Sequence, residues 1–347
     1  MSLKKHLLSE NASINEALVK INDLAQDGIL FAHNEKNELV GSITDGDIRR
    51  GLIQGCALNA PVRDVLQAHP KFVRKSENAV KKLIELREKG FRIIPILHDD
   101  SDEIIGILNF RLKHSYLPIE AVIMAGGKGQ RLRPLTETIP KPLLMIGEKP
   151  IVEYTIDRLE RYGINKLWLS VNYLGDQLQE FVRNKETDME ISLVRETRPL
   201  GTIGSITLID SFQKDTILLS NSDLLTNVDY EDFYVDFMES DADLSIVTIP
   251  YKVEVPYAVM EVSNGNISDF KEKPTYTYYS NGGIYLFKKE MLEFIPKGEV
   301  FSATDFMSKL IENGKTVRSF PHHGYWLDIG RHDDFKRAQE DVKLFDF

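Results

Sequence analysis

Short apolar runs alternate with helix-like segments from residue 119 onwards, and this alternation restricts the chain to few folds. In the segment 150–162, side chains of one face recur every three or four residues, as in an α-helix. The runs are apolar enough to be buried on both faces, which is typical of parallel strands. The sequence therefore predicts a Rossmann-like α/β fold with a mostly parallel sheet, whose ligands bind beyond the carboxyl ends of the strands. The runs are AVIM (121–124), KLWLSVN (166–172), ISLVRE (191–196), TILLSNSD (216–223) and ADLSIVTIP (242–250).

A twofold repeat precedes this region, at residues 13–48 and 76–112. Each copy reads as a helix, an apolar strand, an acidic turn and a second strand that leads into a glycine-containing turn. A repeat of this length indicates paired modules that bury their faces against each other. We therefore expect a smaller α+β domain over residues 1–117 and the α/β domain over residues 118–347, with the boundary near Pro118.

Composition excludes several classes of protein. The formal net charge of −10 argues against a nucleic-acid partner, because such a partner needs a concentrated basic face. Local clusters of Lys and Arg can still hold a phosphorylated small molecule. Cys56 is the one cysteine, which suits a reducing compartment, and no apolar run reaches the length of a membrane span. We expect a cytoplasmic protein without a membrane partner.

The first apolar run leads directly into a glycine-rich, basic loop, GGKGQRLRP at 126–134. Glycines let the backbone approach an anion and turn its N–H groups towards it. The spacing matches neither a dinucleotide fingerprint nor a Walker loop. On its own, the loop is open to two interpretations: a triphosphate cradle, or a plain turn with solvent-facing cations. Its cations are Lys128, Arg131 and Arg133.

A lysine between two prolines follows at Pro140-Lys141-Pro142. Proline fixes φ at its own position and restricts the residue before it, so this lysine is held stiffly. Taken together, AGGKGQRLRPLT, PKPLL and KPI resemble the signature of the sugar-1-phosphate nucleotidyltransferases, over about residues 120 to 334. The resemblance implies a glycosyltransferase-A-like fold that binds an NTP and a sugar-1-phosphate. It also implies that Ala125, Gly126, Gly127, Gly129 and Arg131 bind the nucleotide and that Lys141 supports the reacting phosphates.

Further motifs of this family occur in the same order downstream. The resemblance implies that Gly201, Thr202 and Ser222 contact the nucleotide, and many relatives carry Gly where Ser222 stands. Asp223 and Asp328 would be ligands of Mg2+, and Arg331 follows that second motif without a role. The sugar phosphate would contact Glu272 and Lys273 of the Glu-Lys-Pro motif and Asn281 and Gly282 of the motif at 281–285.

The mechanism that the resemblance implies depends on the negative charge of both reactants. A sugar-1-phosphate oxygen attacks the α-phosphate of an NTP, and pyrophosphate leaves in line. Both reactants are anionic, so the protein must position them and neutralise their charge with Mg2+, Arg131, Lys141 and Lys273. Because Mg2+ is commonly held by one or two carboxylates plus substrate phosphates, the metal site is expected to be half-built without nucleotide.

The twofold repeat resembles a cystathionine-β-synthase (CBS) domain pair over about residues 5 to 117, most specifically at GSITDGD (41–47). The resemblance implies that Thr44 touches a nucleotide phosphate and that Asp47 binds a ribose diol. Leu112 stands where the second copy would carry its ribose-binding Asp. Two roles stay open: binding of an adenine nucleotide, or packing, dimerisation and orientation of the enzyme. We expect a homo-oligomer.

The sequence specifies only weakly the base of the NTP and the sugar of the acceptor. The chain is most similar to mannose-1-phosphate guanylyltransferase-like enzymes, and a CBS pair in front resembles the glucosamine-1-phosphate guanylyltransferases of legionaminic-acid pathways. We therefore expect GTP and a hexose or amino-hexose 1-phosphate, with an NDP-sugar made for surface glycans. UTP, dTTP or CTP remain alternatives, as does an inactive nucleotide-sensing regulator.

Overall fold

The computed structural model describes residues 3–75, 79–345 and 347. It divides into two compact units, the first comprising Met1–Leu117 with Arg161–Gly163 and the second Pro118–Glu160 with Ile164–Phe347. Ser76, Glu77 and Asn78, with which the second repeat begins, lie outside the described residues.

The first unit contains the two repeated modules expected from the sequence. In each, one short strand pairs in parallel with the next, which pairs antiparallel with a third. The first module comprises β1 (Leu7–Ser9), α1 (Ile14–Leu24), β2 (Ile29–His33), β3 (Leu39–Thr44), α2 (Asp45–Ile53) and β4 (Gln67–Ala68). The second comprises β5 (Val73–Arg74), α3 (Ala79–Glu88), β6 (Ile93–Leu97) and β7 (Ile104–Asn109).

The two modules differ after their last long strand, because only the first continues into a helix in the described residues. Thr44 and Asp47 form a capping box that starts α2: the Asp47 carboxylate accepts from the Thr44 N–H at 2.8 Å and the Thr44 hydroxyl at 2.6 Å. Leu112, the counterpart of Asp47, has a side chain that cannot accept a hydrogen bond. The Asn109 amide, the counterpart of Thr44, instead donates to Asp27 at 2.8 Å, across the two modules.

An apolar cluster joins the modules within the first unit. Phe31 of β2 is 1% exposed and packs with Ile93 and Leu97 of β6 and with Ile104 of β7. A backbone hydrogen bond of 2.8 Å from the Leu39 N–H to the Asp102 carbonyl also joins the two modules. The prediction that the repeats bury their faces against each other is confirmed.

The second unit is an α/β structure built around one large sheet. Its strands are β8 (Glu120–Met124), β9 (Met145–Ile146), β10 (Lys149–Pro150), β11 (Lys166–Val171), β12 (Glu190–Arg195), β13 (Thr216–Asn221), β14 (Leu224–Thr226), β15 (Leu244–Glu254), β16 (Val259–Ser263), β17 (Asn266–Lys271), β18 (Thr275–Lys288), β19 (Val317–Pro321) and β20 (Trp326–Asp328). Its helices are α4 (Ile151–Arg161), α5 (Gly175–Asn184), α6 (Tyr230–Ser240), α7 (Ala303–Glu312) and α8 (His332–Asp341).

Seven strands form the central sheet in the order β12-β11-β8-β13-β18-β15-β19. The pairings are parallel except at β18, which runs antiparallel to both of its neighbours. The five apolar runs form β8, β11, β12, β13 and β15, so the predicted mostly parallel α/β sheet is confirmed. Apolar side chains of β8, β11 and β13 are buried, as expected for strands covered on both faces.

The parallel strands β8, β11, β12 and β13 end at one edge of the sheet, and this edge positions the site. The family motifs do not all follow one of these strands. Glu272 and Lys273 lie in the turn between β17 and β18, and Asp328 ends β20, which pairs antiparallel with β14. Because β14 follows Asp223 directly and Leu224 is opposite Asp328, this pairing returns Asp328 to the same edge. Among the described residues, none of the helices is both long and apolar enough to cross a membrane.

Candidate active site

A cavity of about 670 Å3 opens at the carboxyl edge of the sheet. Most of the residues predicted to bind nucleotide line it, although they come from three separate loops. Ala125 is an exception: it is 1% exposed, and its N–H donates to the Ser170 carbonyl at 2.9 Å. The lining comprises Met124, residues 126–132, Lys141, Pro142, Asn172, Glu196, Pro199, Gly201, Thr202, residues 221–223 and Gly330.

The conformation of the glycine-rich loop depends on Gly129. Gly129 has φ +58°, and a Cβ there would lie 2.9 Å from the side chain of Thr136. The buried Thr136 hydroxyl donates to the Gly129 carbonyl at 2.8 Å. The N–H groups of Gly126 and Gly127 make no hydrogen bond to any residue that the structure describes. Such N–H groups at a strand-to-helix turn are suited to an anion.

The cations of this loop also lack protein partners. Lys128, Arg131 and Arg133 are exposed, and none forms an ion pair with a carboxylate in the described ranges 3–75, 79–345 and 347. Arg131 lies against Gly330, where a Cβ would be 3.3 Å from its guanidinium. The loop therefore presents net positive charge to the cavity, which an oligophosphate would compensate.

Lys141 lies between the two carboxylates that were predicted to bind metal. It begins a short 3-10 helix, with Pro140 before it and Pro142 as its second residue. Its Nζ forms an ion pair with Asp223 and lies 3.9 Å from Asp328. The Lys141 and Asp223 side chains are 11% and 20% exposed, so this pair is largely shielded from water.

The carboxylate pair fits a hard cation. Asp223 Oδ1 and Asp328 Oδ1 are buried and make no hydrogen bond in the structure. Burial, together with the nearby Asp223 carboxylate, raises the pKa of Asp328, while Lys141 and Arg131 act in the opposite direction. Two unbonded carboxylate oxygens are suitable ligands for Mg2+. No cluster of three or more His, Cys, Asp or Glu side chains that could hold a metal occurs in the described residues, so water and substrate phosphate oxygens would complete the shell.

Ser222 and the turn at Gly201 complete the nucleotide side of the cavity. Ser222 is 6% exposed and its φ is not positive, so a residue other than glycine fits here without backbone strain. Gly201 has φ +83°, and a Cβ would lie 2.4 Å from the Phe301 carbonyl oxygen. The Thr202 hydroxyl accepts from the Ala303 N–H at 2.8 Å. The turn is thus fixed to the start of α7, and a 3-10 helix, Gly204–Leu208, follows it.

Gly201→Ala is expected to destabilise the second unit far more than Gly298→Ala. Both glycines have positive φ, which costs another residue about 1–2 kcal/mol. Only Gly201 would also place a Cβ against backbone, which adds roughly 1–3 kcal/mol; a Cβ at Gly298 would meet no atom within 4 Å beyond its chain neighbours. Both tryptophans, Trp168 and Trp326, lie in this unit, so urea unfolding followed by tryptophan fluorescence measures the difference. Equal losses in the two variants would contradict the close approach.

The residues predicted for the sugar phosphate do not line this cavity. Glu272 and Lys273 are exposed, and Lys273 has φ +42°. The Asn281 amide donates to the Tyr285 hydroxyl at 2.8 Å, and the Gly282 carbonyl accepts from the Trp326 indole at 2.9 Å. Their roles stay predictions.

Several cavity residues were absent from the predicted site, and three of them are polar residues at strand ends: Asn172, Glu196 and Asn221. Asn172 and Glu196 directly follow β11 and β12, and Asn221 ends β13. The rule that ligands lie beyond the carboxyl ends of parallel strands pointed to these positions as well as to Asp223.

Fold and cavity together define an α/β protein with a basic, glycine-lined cavity at the carboxyl edge of its sheet. Residues 120–343 match the nucleotidyl transferase family, and the chain belongs to that family. A UTP–glucose-1-phosphate uridylyltransferase from Synechocystis sp. is 29% identical over 241 residues, which are 63% of this chain and 62% of that relative. The chain thus spans less than two thirds of that relative's length.

One further relative is named a guanylyltransferase, and one solved structure is a complex with GMP-PN. A D-glycero-alpha-D-manno-heptose 1-phosphate guanylyltransferase from Aneurinibacillus thermoaerophilus is 31% identical over 232 residues, covering 65% of this chain and 100% of the relative. The crystal structure of HddC from Yersinia pseudotuberculosis complexed with GMP-PN aligns with a TM-score of 0.50 at 25% identity, covering 64% of this chain and 99% of that chain.

Proposed function

We propose that the protein transfers a nucleotidyl group from an NTP to a sugar-1-phosphate, giving an NDP-sugar and pyrophosphate. One observation carries the proposal: Lys141 lies between Asp223 and Asp328, beside a basic loop in which the Gly126 and Gly127 N–H groups bond to none of the described residues. A site that combines free donors and cations with carboxylates suits a metal-bound triphosphate better than a neutral ligand.

Each group has a defined part in this reaction. The N–H groups of the glycine loop and Arg131 bind the triphosphate, and Lys141 neutralises charge on the reacting phosphates. Asp223 and Asp328 would hold Mg2+, which when bound supplies further positive charge to the phosphates. Lys273, from its exposed turn, would contact the sugar phosphate. Transfer by direct attack on the α-phosphate is catalysed by positioning and charge, so no covalent nucleophile is needed.

We further propose GTP as the nucleotide and a hexose, heptose or amino-hexose 1-phosphate as acceptor. The guanylyltransferase relative supports the base, and the uridylyltransferase relative keeps UTP as the alternative. Purified protein with Mg2+ would be incubated with GTP, UTP, dTTP or CTP, each crossed with 1-phosphates of glucose, mannose, glucosamine and a manno-heptose. Pyrophosphate release with GTP is the expected result. Absence of pyrophosphate in every combination would support an inactive nucleotide-binding regulator instead.

We propose that the first unit is a CBS domain pair that binds an adenine nucleotide near Thr44 and Asp47. The two-module topology and the retained Asp47 support this. Asp47 is 5% exposed, and besides Thr44 it forms an ion pair with Arg50. Ribose binding would therefore compete with contacts that also cap α2.

AMP or ATP is expected to raise the melting temperature of the first unit by several degrees in the parent protein, because a ligand stabilises the state that it binds. Asp47→Asn keeps a side chain able to cap α2 but removes the charge, and should abolish the shift. Asp45→Asn, two residues away and exposed, is the matched control and should keep it. Calorimetry is the suitable measurement, since both tryptophans lie in the other unit. No shift in the parent would favour a role in packing or dimerisation.

We also propose that the protein is a homo-oligomer located in the cytoplasm. The extension formed by β15–β18 exposes Tyr251, Val262, Ile267 and Phe270 at 60–64%. Such clustered apolar exposure is typical of association surfaces. Light scattering on the purified chain measures its molar mass and so tests the oligomeric state.

A further inference from the structure

The turn between β11 and α5 is bonded to the segment that leads from the glycine-rich loop to the lysine between two prolines. The Tyr173 hydroxyl donates to the carbonyl oxygens of Thr136 and Glu137, at 3.2 and 3.0 Å. The Gln177 side-chain amide, in the first turn of α5, donates to the Thr138 carbonyl at 2.8 Å. Two side chains from one turn and its helix thus hold three consecutive carbonyls.

The backbone before Lys141 depends on such bonds. After Lys141, a 3-10 helix fixes the chain, and the Leu144 N–H donates to the Lys141 carbonyl at 3.1 Å. Before Lys141, residues 137–139 are exposed and run between the buried residues Thr136 and Pro140. Their side chains pack against little, so backbone hydrogen bonds to neighbouring elements, rather than packing, hold this stretch.

The turn that carries Tyr173 is itself anchored, and its conformation is unusual. The Asn172 side-chain amide donates to the Glu196 carbonyl at 3.1 Å, which ties the start of the turn to the end of β12. Leu174 has φ +51°, a left-handed conformation that residues with a side chain rarely adopt. Such conformations cluster at functional sites, where the surrounding structure imposes them. The half-buried Tyr173 is therefore presented from a fixed position at the carboxyl edge of the sheet.

We propose that Tyr173 is a positioning residue, which holds Lys141 at the reacting phosphates through the backbone of Thr136 and Glu137. This inference rests on the proposed nucleotidyl transfer and adds a residue to that reaction. The ion pair of Lys141 with Asp223 depends on where the lysine backbone lies, and the Tyr173 hydroxyl restrains the residues that lead to it. A group that neutralises developing charge loses much of its effect when it is displaced by about 1 Å.

Tyr173→Phe removes only the hydroxyl and is the decisive variant. We expect kcat to fall by about 10-fold, while KM for the NTP stays within about twofold, because the charge that Lys141 neutralises develops in the transition state. Tyr154→Phe is the matched control. The Tyr154 hydroxyl also donates to a backbone carbonyl, that of Ile146 at 2.6 Å, and its removal should leave kcat near the parent value.

A double-mutant cycle with Lys141→Ala distinguishes positioning from a general structural effect. If Tyr173 acts through Lys141, Tyr173→Phe should lower kcat by less than about twofold in the Lys141→Ala background, because the group that it positions is gone. The same loss in both backgrounds would overturn the proposal. A parent-like kcat in Tyr173→Phe, or an equal loss in Tyr154→Phe, would do the same.

Chemical labelling of Lys141 gives a second measurement that needs no turnover. The Lys141 side chain is 11% exposed in the parent, so acetic anhydride should modify it slowly. Tyr173→Phe should raise the acetylation rate of Lys141 by about threefold or more, because the loss of one hydrogen bond shifts a local equilibrium by roughly that factor. Mass spectrometry of the digested protein gives the rate for each lysine. Lys185, which is 6% exposed and paired with Glu153 and Asp157, is the internal control and should keep its rate.

The labelling rates also separate this proposal from the proposed function. An unchanged Lys141 rate in Tyr173→Phe, or an equal rise at Lys185, would overturn the positioning role. If no combination of NTP and sugar-1-phosphate releases pyrophosphate, nucleotidyl transfer is rejected, while the labelling rates still decide whether Tyr173 holds Lys141.

Discussion

Lys141→Ala is expected to lower kcat/KM for nucleotidyl transfer by about 10²- to 10³-fold, the usual effect of removing one group that stabilises developing charge. The Lys141 side chain is 11% exposed and is paired with Asp223. Its removal leaves Asp223 and Asp328 without the lysine between them and removes positive charge from the place where the phosphates would react. Steady-state kinetics at saturating Mg2+ give the effect, and circular dichroism shows whether the fold is kept.

Lys166→Ala is the matched control for this loss. Lys166 also forms an ion pair, with Glu190, and lies 4.4 Å from the Trp168 ring, but it begins β11 and so lies at the other end of the sheet. Removing it should leave turnover near the parent value. Near-normal kcat/KM in Lys141→Ala, with the protein folded, would exclude Lys141 from the mechanism.

The contact between Lys141 and the two aspartates shows what a sequence can and cannot establish. Proline on both sides indicated a rigid lysine, and the apolar run before Asp223 indicated a strand end at the ligand-binding edge. Neither pattern predicted that Asp328, more than a hundred positions further along, would join them. That depends on the β14–β20 pairing, and strands of three residues carry too little periodicity to be predicted.

Residues outside the family motifs were missed for a different reason. Asn172 and Glu196 are single polar residues that directly follow strands, and neither has a glycine or a cluster of cations immediately beside it that would indicate a phosphate site. Their position becomes informative only once β11 and β12 are known to be parallel to β8 and β13. Glu196 could have been selected by asking which polar residue follows each predicted strand.

The placement of Lys273 could not be predicted for a physical reason. β17 is exposed along its whole length, and β16 is nearly so, so their sequences show no alternation of buried and exposed side chains. Without a buried face, a strand's register and direction are weakly specified by sequence. The family motif gave Lys273 a role, but no burial pattern fixed where its turn would lie.

Asp223→Asn and Asp328→Asn are each expected to lower turnover by roughly 10²-fold or more, because each removes half of a two-carboxylate cation site. Both should also raise the Mg2+ concentration needed for half-maximal rate. Binding of Mn2+ in the presence of the accepted NTP, followed by electron paramagnetic resonance, gives a readout independent of turnover. Asp215→Asn is the matched control, since Asp215 immediately precedes β13 and Asp223 follows its end.

The pH dependence of Mg2+ binding should also depend on Asp223 and Asp328. Because burial and Asp223 raise the pKa of Asp328, this carboxyl takes up a proton at a higher pH than an ordinary aspartate. Below that pKa the proton competes with the cation, so apparent Mg2+ affinity should fall by about tenfold per pH unit. Raising Mg2+ should then move the acid limb of the rate profile to lower pH in the parent but not in Asp328→Asn. An acid limb that does not move with Mg2+ in the parent would remove Asp328 from the metal site.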